Sequence, residues 1–145
     1  GLTLSYVKPP GPLYNDMMKP QPLLSAVMGA VASYPADLKL MILATADAKH
    51  HHTMARHLGL TLVLEAFADR LYTDQGHLVA RNIAGSVHDK AELLAQVKQL
   101  LTSNSVTTQS GKSLKLNADS ICVHGDNAQG VALIEDIKAL CSASV

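Results

Sequence analysis

The feature that most constrains the fold is the alternation of short apolar runs with amphipathic segments of helical period. Four apolar runs have the length and composition of strands, at 2–7, 39–44, 61–64 and 120–123. The segments that follow them repeat apolar residues at helical spacing, within 21–33, 47–57, 89–101 and 127–140. Because parallel strands need crossover connections of this kind, the order predicts an α/β fold with a mainly parallel sheet.

Length and charge further limit the size of the fold and the kinds of partner. A chain of 145 residues is the usual size of one domain, so we expect a single domain over 1–145. A closed β/α barrel takes about 250 residues, so this length corresponds to part of a barrel. The 12 basic and 12 acidic residues balance, which argues against nucleic acid or an anionic membrane as the main partner. With no signal peptide and no apolar run of about 18 residues, the sequence predicts a soluble, cytoplasmic protein.

A dense group of charged residues follows the third predicted strand, in the segment EAFADRLYTDQGHLVAR at 65–81. The segment has no helical period, and ligands of α/β proteins bind beyond the carboxyl ends of the strands. It is therefore either part of a site or a solvated loop in which Asp69 and Arg70 pair with each other or with water.

Three predicted loops, 8–16, 65–81 and 124–127, come directly after strands. Parallel strands would bring all three loops to one edge of the sheet, where eight side chains are candidates for a site: Lys8, Tyr14, Glu65, Asp69, Arg70, Arg81, His124 and Asp126. Carboxylates, a histidine and fixed cations suffice for hydrolytic or carbonyl-polarising chemistry. The sequence contains no nucleophile elbow and no glycine-rich phosphate fingerprint.

Three consecutive histidines, 50–52, lie in the second predicted helix, and His57 follows them. Successive helical residues point about 100° apart, so at most His50 and His57 share a face. A native metal site needs ligands that converge, so we interpret these histidines as a solvated face and predict no metal site.

Three separate motifs resemble those of one known family. They are VKPPGPLYN at 7–15, EAFADRLYTDQGHLVARNIAGSVHD at 65–89 and ICVHGD at 121–126. In this order and at these separations they resemble the C-terminal part of the LamB/YcsF family, to which the A subunit of the bacterial 5-oxoprolinase belongs. The resemblance covers nearly all of this chain and part of the family's length.

The resemblance implies part of a β/α barrel of the glycoside hydrolase and deacetylase kind. It also implies ATP-dependent opening of the lactam of 5-oxo-L-proline to L-glutamate, with ATP and Mg as cofactors and 5-oxoprolinase subunits B and C as partners. The implied substrate-binding residues are Lys8, Tyr14, Asn15, Arg70 and Arg81, of which the cations would hold a carboxylate or a phosphate. The implied proton-transfer or metal-binding residues are Glu65, Asp69, His124 and Asp126. A homo-oligomer is possible, but one sequence does not show the contacts between copies.

The first motif departs from the family pattern Lys-Pro-His-Gly-Ala-Leu-Tyr-Asn. Pro10 stands where the family has histidine, and Pro12 stands where it has alanine. Proline can neither ligate a metal nor carry a proton, and it has no N–H to offer an anion. Two interpretations follow: a harmless change in a supporting loop, or a non-catalytic barrel remnant that acts by assembly with a partner. A third interpretation, from the deacetylase-like fold, is a metal-dependent amidase.

Overall fold

The computed structural model describes residues 3–19 and 22–143 and consists of alternating strands and helices. In chain order the elements are β1 (Tyr6–Val7), α1 (Gly11–Asp16), α2 (Pro22–Ala32), β2 (Lys39–Leu43), α3 (Ala48–His57), β3 (Leu62–Phe67), α4 (Lys90–Ser103), β4 (Ser105–Thr107), β5 (Ser113–Lys115), β6 (Ser120–Cys122), α5 (Ala128–Ala132) and α6 (Ile134–Ala143).

Four strands form one parallel sheet in the order β1–β2–β3–β6. The strands β4 and β5 form a separate antiparallel pair. The predicted α/β class with mainly parallel strands is therefore confirmed, and the sheet is open, with β1 and β6 at its edges in the described part of the chain. The prediction of a single domain over 1–145 stays a prediction. No helix within 3–19 and 22–143 is both long and apolar enough to cross a membrane.

The loop predicted at 8–16 is wrong over its second half, where residues 11–16 form α1. Pro10 occupies the N-cap in an extended conformation, and Pro12 lies in the first helical turn. A proline there removes only an N–H that has no acceptor within the helix, so these two prolines do not prevent the helix. Leu2 and Gln21, at the starts of a predicted strand and helix, lie outside the described residues.

The terminal helix, predicted as one element, is divided into α5 and α6 at Leu133. The N–H of Leu133 bonds to the carbonyl of Gly130, three residues back, which tightens the backbone at the end of α5. The tertiary reason is burial, because Leu133 is 2% exposed and packs with Leu93, Val97 and Ile137 in a cluster under α4. Asn127 caps α5, since its side chain accepts from the N–H of Gly130.

Gln96, buried on α4, fixes the chain where β3 ends. Its amide Nε2 donates to the carbonyls of Phe67 and Arg70, each at 2.8 Å, and to that of Ala68 at 3.3 Å. The Oε1 atom of Gln96 lies 3.1 Å from Nε2 of His88, at the far end of the same loop. One side chain thus holds both ends of the segment that carries Asp69.

Gly130 leaves no space for a larger residue. A Cβ atom at this position would lie 2.6 Å from Cγ1 of Val123, closer than real Cβ contacts. We therefore expect Gly130→Ala to lower the free energy of unfolding by about 1–2 kcal/mol despite the better helix propensity of alanine, as urea denaturation would measure.

Two further variants isolate the steric cause. Gly29 lies in α2, and a Cβ atom placed there would have no neighbouring atom within 4 Å, so Gly29→Ala should stabilise the fold by up to about 1 kcal/mol. In a Val123→Ala background the Gly130→Ala penalty should largely vanish. An equal penalty in both backgrounds would contradict this explanation.

Candidate functional site

Glu65 lies within β3, and not in the loop predicted to begin at that residue. The strand continues to Phe67 because β6 pairs with it, with Glu65 opposite Ser120 and Phe67 opposite Cys122. Side chains alternate across a strand, so Glu65 and Phe67 share one face of the sheet. Glu65 is 3% exposed, which makes it a buried carboxylate that needs partners.

Both oxygens of Glu65 accept hydrogen bonds from residues of the first motif. Lys8 Nζ donates to Oε1 at 2.8 Å, and the hydroxyl of Tyr14 donates to Oε2 at 2.7 Å. Burial and the bond to Glu65 raise the pKa of Tyr14 far above its ordinary value, so its hydroxyl stays protonated. Lys8 Nζ also lies 5.2 Å from the ring centroid of Tyr14 and 5.5 Å from that of Phe67.

Asp69 and His124 form a second pair beside the first. Nδ1 of His124 lies 3.0 Å from Oδ1 of Asp69 and 3.2 Å from Oδ2, and the backbone N–H of His124 donates to Oδ2 at 3.2 Å. Asn127 Nδ2 donates to the same Oδ2 at 3.3 Å. Burial alone would raise the pKa of Asp69, but the hydrogen bonds from His124 and Asn127 outweigh it and lower the pKa.

The ionised Asp69 assigns the ring proton of His124 to Nδ1, since a carboxylate only accepts. In the neutral ring Nε2 of His124 carries the lone pair, and this atom has no hydrogen-bond partner among residues 3–19 and 22–143. The side chain of His124 is 25% exposed, so solvent reaches it. A histidine held in one tautomer by a carboxylate is the arrangement of a general base.

The ring of Phe67 joins the two pairs. It stacks on the ring of His124 with centroids 4.9 Å apart and meets the ring of Tyr14 edge-on at 6.0 Å. We call the six residues brought together in this way the central cluster: Lys8, Tyr14, Glu65, Phe67, Asp69 and His124.

The remaining predicted site residues lie outside the central cluster. Arg81 and Asp126 form an exposed ion pair of 2.6 Å, and Arg70 is buried, with its guanidinium donating to the carbonyls of Val79 and Ser86. Arg70, Arg81 and Asp126 line a cavity of about 360 Å³ together with Asp69. Asn15 is exposed on α1. The solvated-loop interpretation of Asp69 and Arg70 is wrong, because they are 1% and 6% exposed.

Sequence reasoning assigns no role in the site to Phe67, Cys122 or Asn127. Cys122 Sγ lies 4.0 Å from Lys8 Nζ, and burial raises the pKa of the thiol to about 11, so it is not an activated nucleophile. Cys122 lies two residues before His124, and because side chains alternate along a strand, this spacing would have placed both on the same face of the sheet. Asn127 stands only at the start of the last predicted helical segment, but its amide both caps α5 and donates to Asp69.

The sequence matches the LamB/YcsF family over residues 1–144. The chain belongs to the LamB/YcsF family. It is 44% identical to the 5-oxoprolinase A subunit of Chromohalobacter salexigens over 139 residues, which are 95% of this chain and 56% of that protein. It is 42% identical to a 5-oxoprolinase A subunit of Pseudomonas putida, over 95% of this chain and 54% of that protein. The predicted family membership is therefore confirmed, and the chain spans about half the length of these relatives.

A solved structure supports the family assignment and the fold. The lactam utilization protein from Thermus thermophilus superposes with a TM-score of 0.79 at 27% sequence identity, over 97% of this chain and 56% of that one. The LamB/YcsF chain described here thus has the α/β architecture of that relative along nearly its whole length, with strands and helices alternating as in part of a β/α barrel.

The cofactors that the resemblance implies for this LamB/YcsF chain are ATP and Mg. Within 3–19 and 22–143, no three His, Cys, Asp or Glu residues are arranged to hold a metal ion. The cations Lys8 and Arg81 are engaged by Glu65 and Asp126, and Pro10 removes an N–H from the loop after β1. The predicted roles of ATP and Mg stay predictions for this chain.

Proposed function

We propose that this chain works in lactam utilization, as the A subunit of an ATP-dependent 5-oxoprolinase or as the C-terminal part of that subunit. The reaction would be hydrolysis of the cyclic amide of 5-oxo-L-proline to L-glutamate. The observation that carries the proposal is the Asp69–His124 pair, with Nε2 of His124 free beside the Lys8–Glu65–Tyr14 group. The names of the relatives supply the substrate class.

Opening a lactam requires a water nucleophile, a polarised carbonyl and a proton for the departing nitrogen. Nε2 of His124 would take a proton from water as the oxygen bonds to the carbonyl carbon, and Asp69 would stabilise the imidazolium. When the carbon–nitrogen bond breaks, the same proton would pass from His124 to the nitrogen. Lys8 would donate to the carbonyl oxygen, where negative charge develops.

Substrate binding falls to the cavity beside the central cluster. Arg81 is half-exposed, and its present partner Asp126 is mostly exposed, so a substrate carboxylate can compete for the guanidinium. Arg70 also lines this cavity and would add positive charge, while its hydrogen bond to the carbonyl of Val79 holds the loop after β3. The hydroxyl of Tyr14 would hold Glu65 in place, and Asn15 lies on the same helix as Tyr14. Asp126 would either transfer a proton or free Arg81 from their ion pair.

Activation by ATP with Mg would come from the assembled enzyme, in which subunits B and C are the proposed partners. The relatives are named as one lettered subunit of 5-oxoprolinase, which supports a multi-subunit enzyme. In such an assembly the lactam-opening residues would be on this chain, and the nucleotide would bind elsewhere.

The test is ATP-dependent release of glutamate from 5-oxoproline by this chain mixed with candidate B and C subunits, with Pro10→His in parallel. Release by the parent is the expected result and would show that Pro10 is tolerated. No glutamate release by the parent, with release by Pro10→His, would locate a defect in the loop after β1. No release by either protein would overturn the enzyme proposal.

Pro10 favours a second candidate, a non-catalytic barrel remnant that acts by assembly. It stands where the family motif has a histidine, and the sheet has open edges at β1 and β6 in the described residues. Co-purification with B and C in the absence of any glutamate release would support this candidate over the first.

A further inference from the structure

Arg70, in the wall of the cavity beside Asp69, is a buried cation that has no carboxylate bonded to it. The residue is 6% exposed, and its guanidinium donates to backbone carbonyls and forms no ion pair in the described part of the chain. Burial and the neighbouring charge of Arg81 lower the pKa of Arg70, as expected for a cation whose charge is incompletely compensated. Buried charges are costly unless they are paired, so this guanidinium is a candidate to bind an anion.

One terminal nitrogen of Arg70 is available to a ligand. Nε donates to the carbonyl of Ser86 at 3.4 Å and Nη2 to that of Val79 at 2.6 Å, whereas Nη1 makes no hydrogen bond within 3–19 and 22–143. Nη1 is not sealed in the interior, because the unpartnered buried side-chain atoms of these residues are Nδ1 of His51 and Nδ1 of His88. The prediction of a solvated face is therefore wrong for His51, which is 7% exposed. The two carbonyl bonds hold the guanidinium of Arg70 in place at the cavity that it lines.

Arg81 brings a second guanidinium to the same cavity, and a carboxylate of the chain itself is bound to it. Nη1 of Arg81 donates to Oδ2 of Asp126 at 2.6 Å, and both residues line the cavity. This hydrogen bond lowers the pKa of Asp126, so its carboxylate is charged at neutral pH. The position of that carboxylate marks where the anionic group of a ligand can bind. Because exposed ion pairs contribute little to stability, a ligand carboxylate can displace Asp126.

From these contacts we propose that Asp126 is a built-in competitor: its carboxylate occupies the anion subsite of the cavity until a ligand carboxylate displaces it and binds Arg81 together with Nη1 of Arg70. Arg70 and Arg81 then select a lactam that carries a carboxylate, and Asp126 sets how tightly that lactam is held. Asp69 also lines the cavity, but His124 and Asn127 engage its carboxylate. The choice of a lactam as ligand rests on the proposed function, whereas the competition rests on the contacts alone.

The test is NMR titration of the whole chain with 5-oxo-L-proline and, separately, with 2-pyrrolidone, the same ring without the carboxylate. Ionic strength is held constant with chloride. The readout is the chemical shifts of the guanidinium Nε–H groups of Arg70 and Arg81 and of the backbone amides of 126–129. Saturable shifts are expected with 5-oxo-L-proline, and 2-pyrrolidone should bind at least tenfold more weakly.

Two variants and a matched control isolate the competition. Asp126→Asn removes the competing carboxylate and should tighten binding of 5-oxo-L-proline at least threefold, whereas Arg81→Gln should weaken it tenfold or more. Asp16→Asn is the control, because Asp16 forms an ion pair with Lys19 on α1 and its substitution changes the net charge by the same amount. It should leave binding unchanged. All three substituted residues are exposed, so the variants should fold.

Equal binding of the two lactams would overturn the proposal, and so would an affinity of Asp126→Asn no higher than that of Asp16→Asn. The absence of saturable shifts with 5-oxo-L-proline in both the parent and Asp126→Asn would overturn it as well. Failure of the proposed function gives a different result. Binding with the expected variant effects, but without glutamate release in the presence of B and C, would support the competitor and contradict the reaction.

Discussion

Replacing His124 by leucine should lower the free energy of unfolding by about 3–5 kcal/mol at neutral pH, because it leaves the carboxylate of Asp69 buried without its main partner. Asp69 is 1% exposed and would keep only the weak bond from Asn127 and the backbone N–H of residue 124. Leucine retains the apolar contact with Phe67, so the loss reports mainly on the buried charge. Urea denaturation of both proteins measures it.

The effect should also depend on pH in a defined direction. In the parent the folded pKa of Asp69 is lowered, so its contribution is complete above the unfolded pKa of about 4 and is lost as pH falls through the folded pKa. In His124→Leu burial dominates and raises the folded pKa, so the penalty builds up as pH rises above the unfolded pKa of about 4 and is complete above the raised folded pKa. The difference between the two proteins should therefore be largest at neutral pH and shrink below about pH 4.

Asp126→Ala is the matched control for His124→Leu. Asp126 lies two residues away, but its ion pair with Arg81 is exposed on both sides, so its removal should change the free energy of unfolding by less than about 1 kcal/mol. If B and C support glutamate release, His124→Leu should also abolish it, as expected for a general base. A penalty for His124→Leu that is small and constant from about pH 3 to about pH 7 would show that Asp69 is not held by this histidine.

Gln96→Leu should cost about 2–4 kcal/mol of folding free energy, the second-largest effect expected. The substitution keeps the volume and the helix propensity but removes the only side-chain donor to the carbonyls of Phe67, Ala68 and Arg70 among the described residues. Each buried carbonyl left without a donor costs about 1–3 kcal/mol. The amide of Gln96 has two N–H groups for the three carbonyls, so the total is less than three full losses. Urea denaturation gives the magnitude.

Hydrogen exchange should show where the loss acts. Because Gln96 holds both ends of the segment 68–89, amides in this segment should exchange faster in Gln96→Leu, while those of β2 change little. Gln99→Leu is the control on the same helix, since among the described residues the side chain of Gln99 bonds only to the hydroxyls of Thr107, which is exposed, and Ser105, which keeps Ser103 as a partner. It should cost less than about 1 kcal/mol, and equal losses for the two variants would contradict the role assigned to Gln96.

Local patterns in the sequence were sufficient for most of the secondary structure. Asp89, directly before an apolar repeat, caps α4 in a reciprocal box with Glu92, and Gly59 follows α3 with a φ of +68°. The order of strands and helices led to the parallel sheet. The family motifs marked Lys8, Asp69 and His124 as site residues, and their roles stay predictions.

Patterns along the sequence did not show how these residues combine. Lys8 and Glu65 are 57 residues apart, and Asp69 and His124 are 55 apart, so their pairing depends on which strands become neighbours. The pairing of β6 with β3 extended that strand to Phe67, and Glu65 and His51 are buried in the folded chain. The sequence by itself determined the fold class and the starts of α4 and α5, because periodicity and capping act within one or two turns, and its motifs determined the family. Only the tertiary structure decided which charges are buried and which side chains meet, because desolvation and contact across the sheet exist only once the strands have packed.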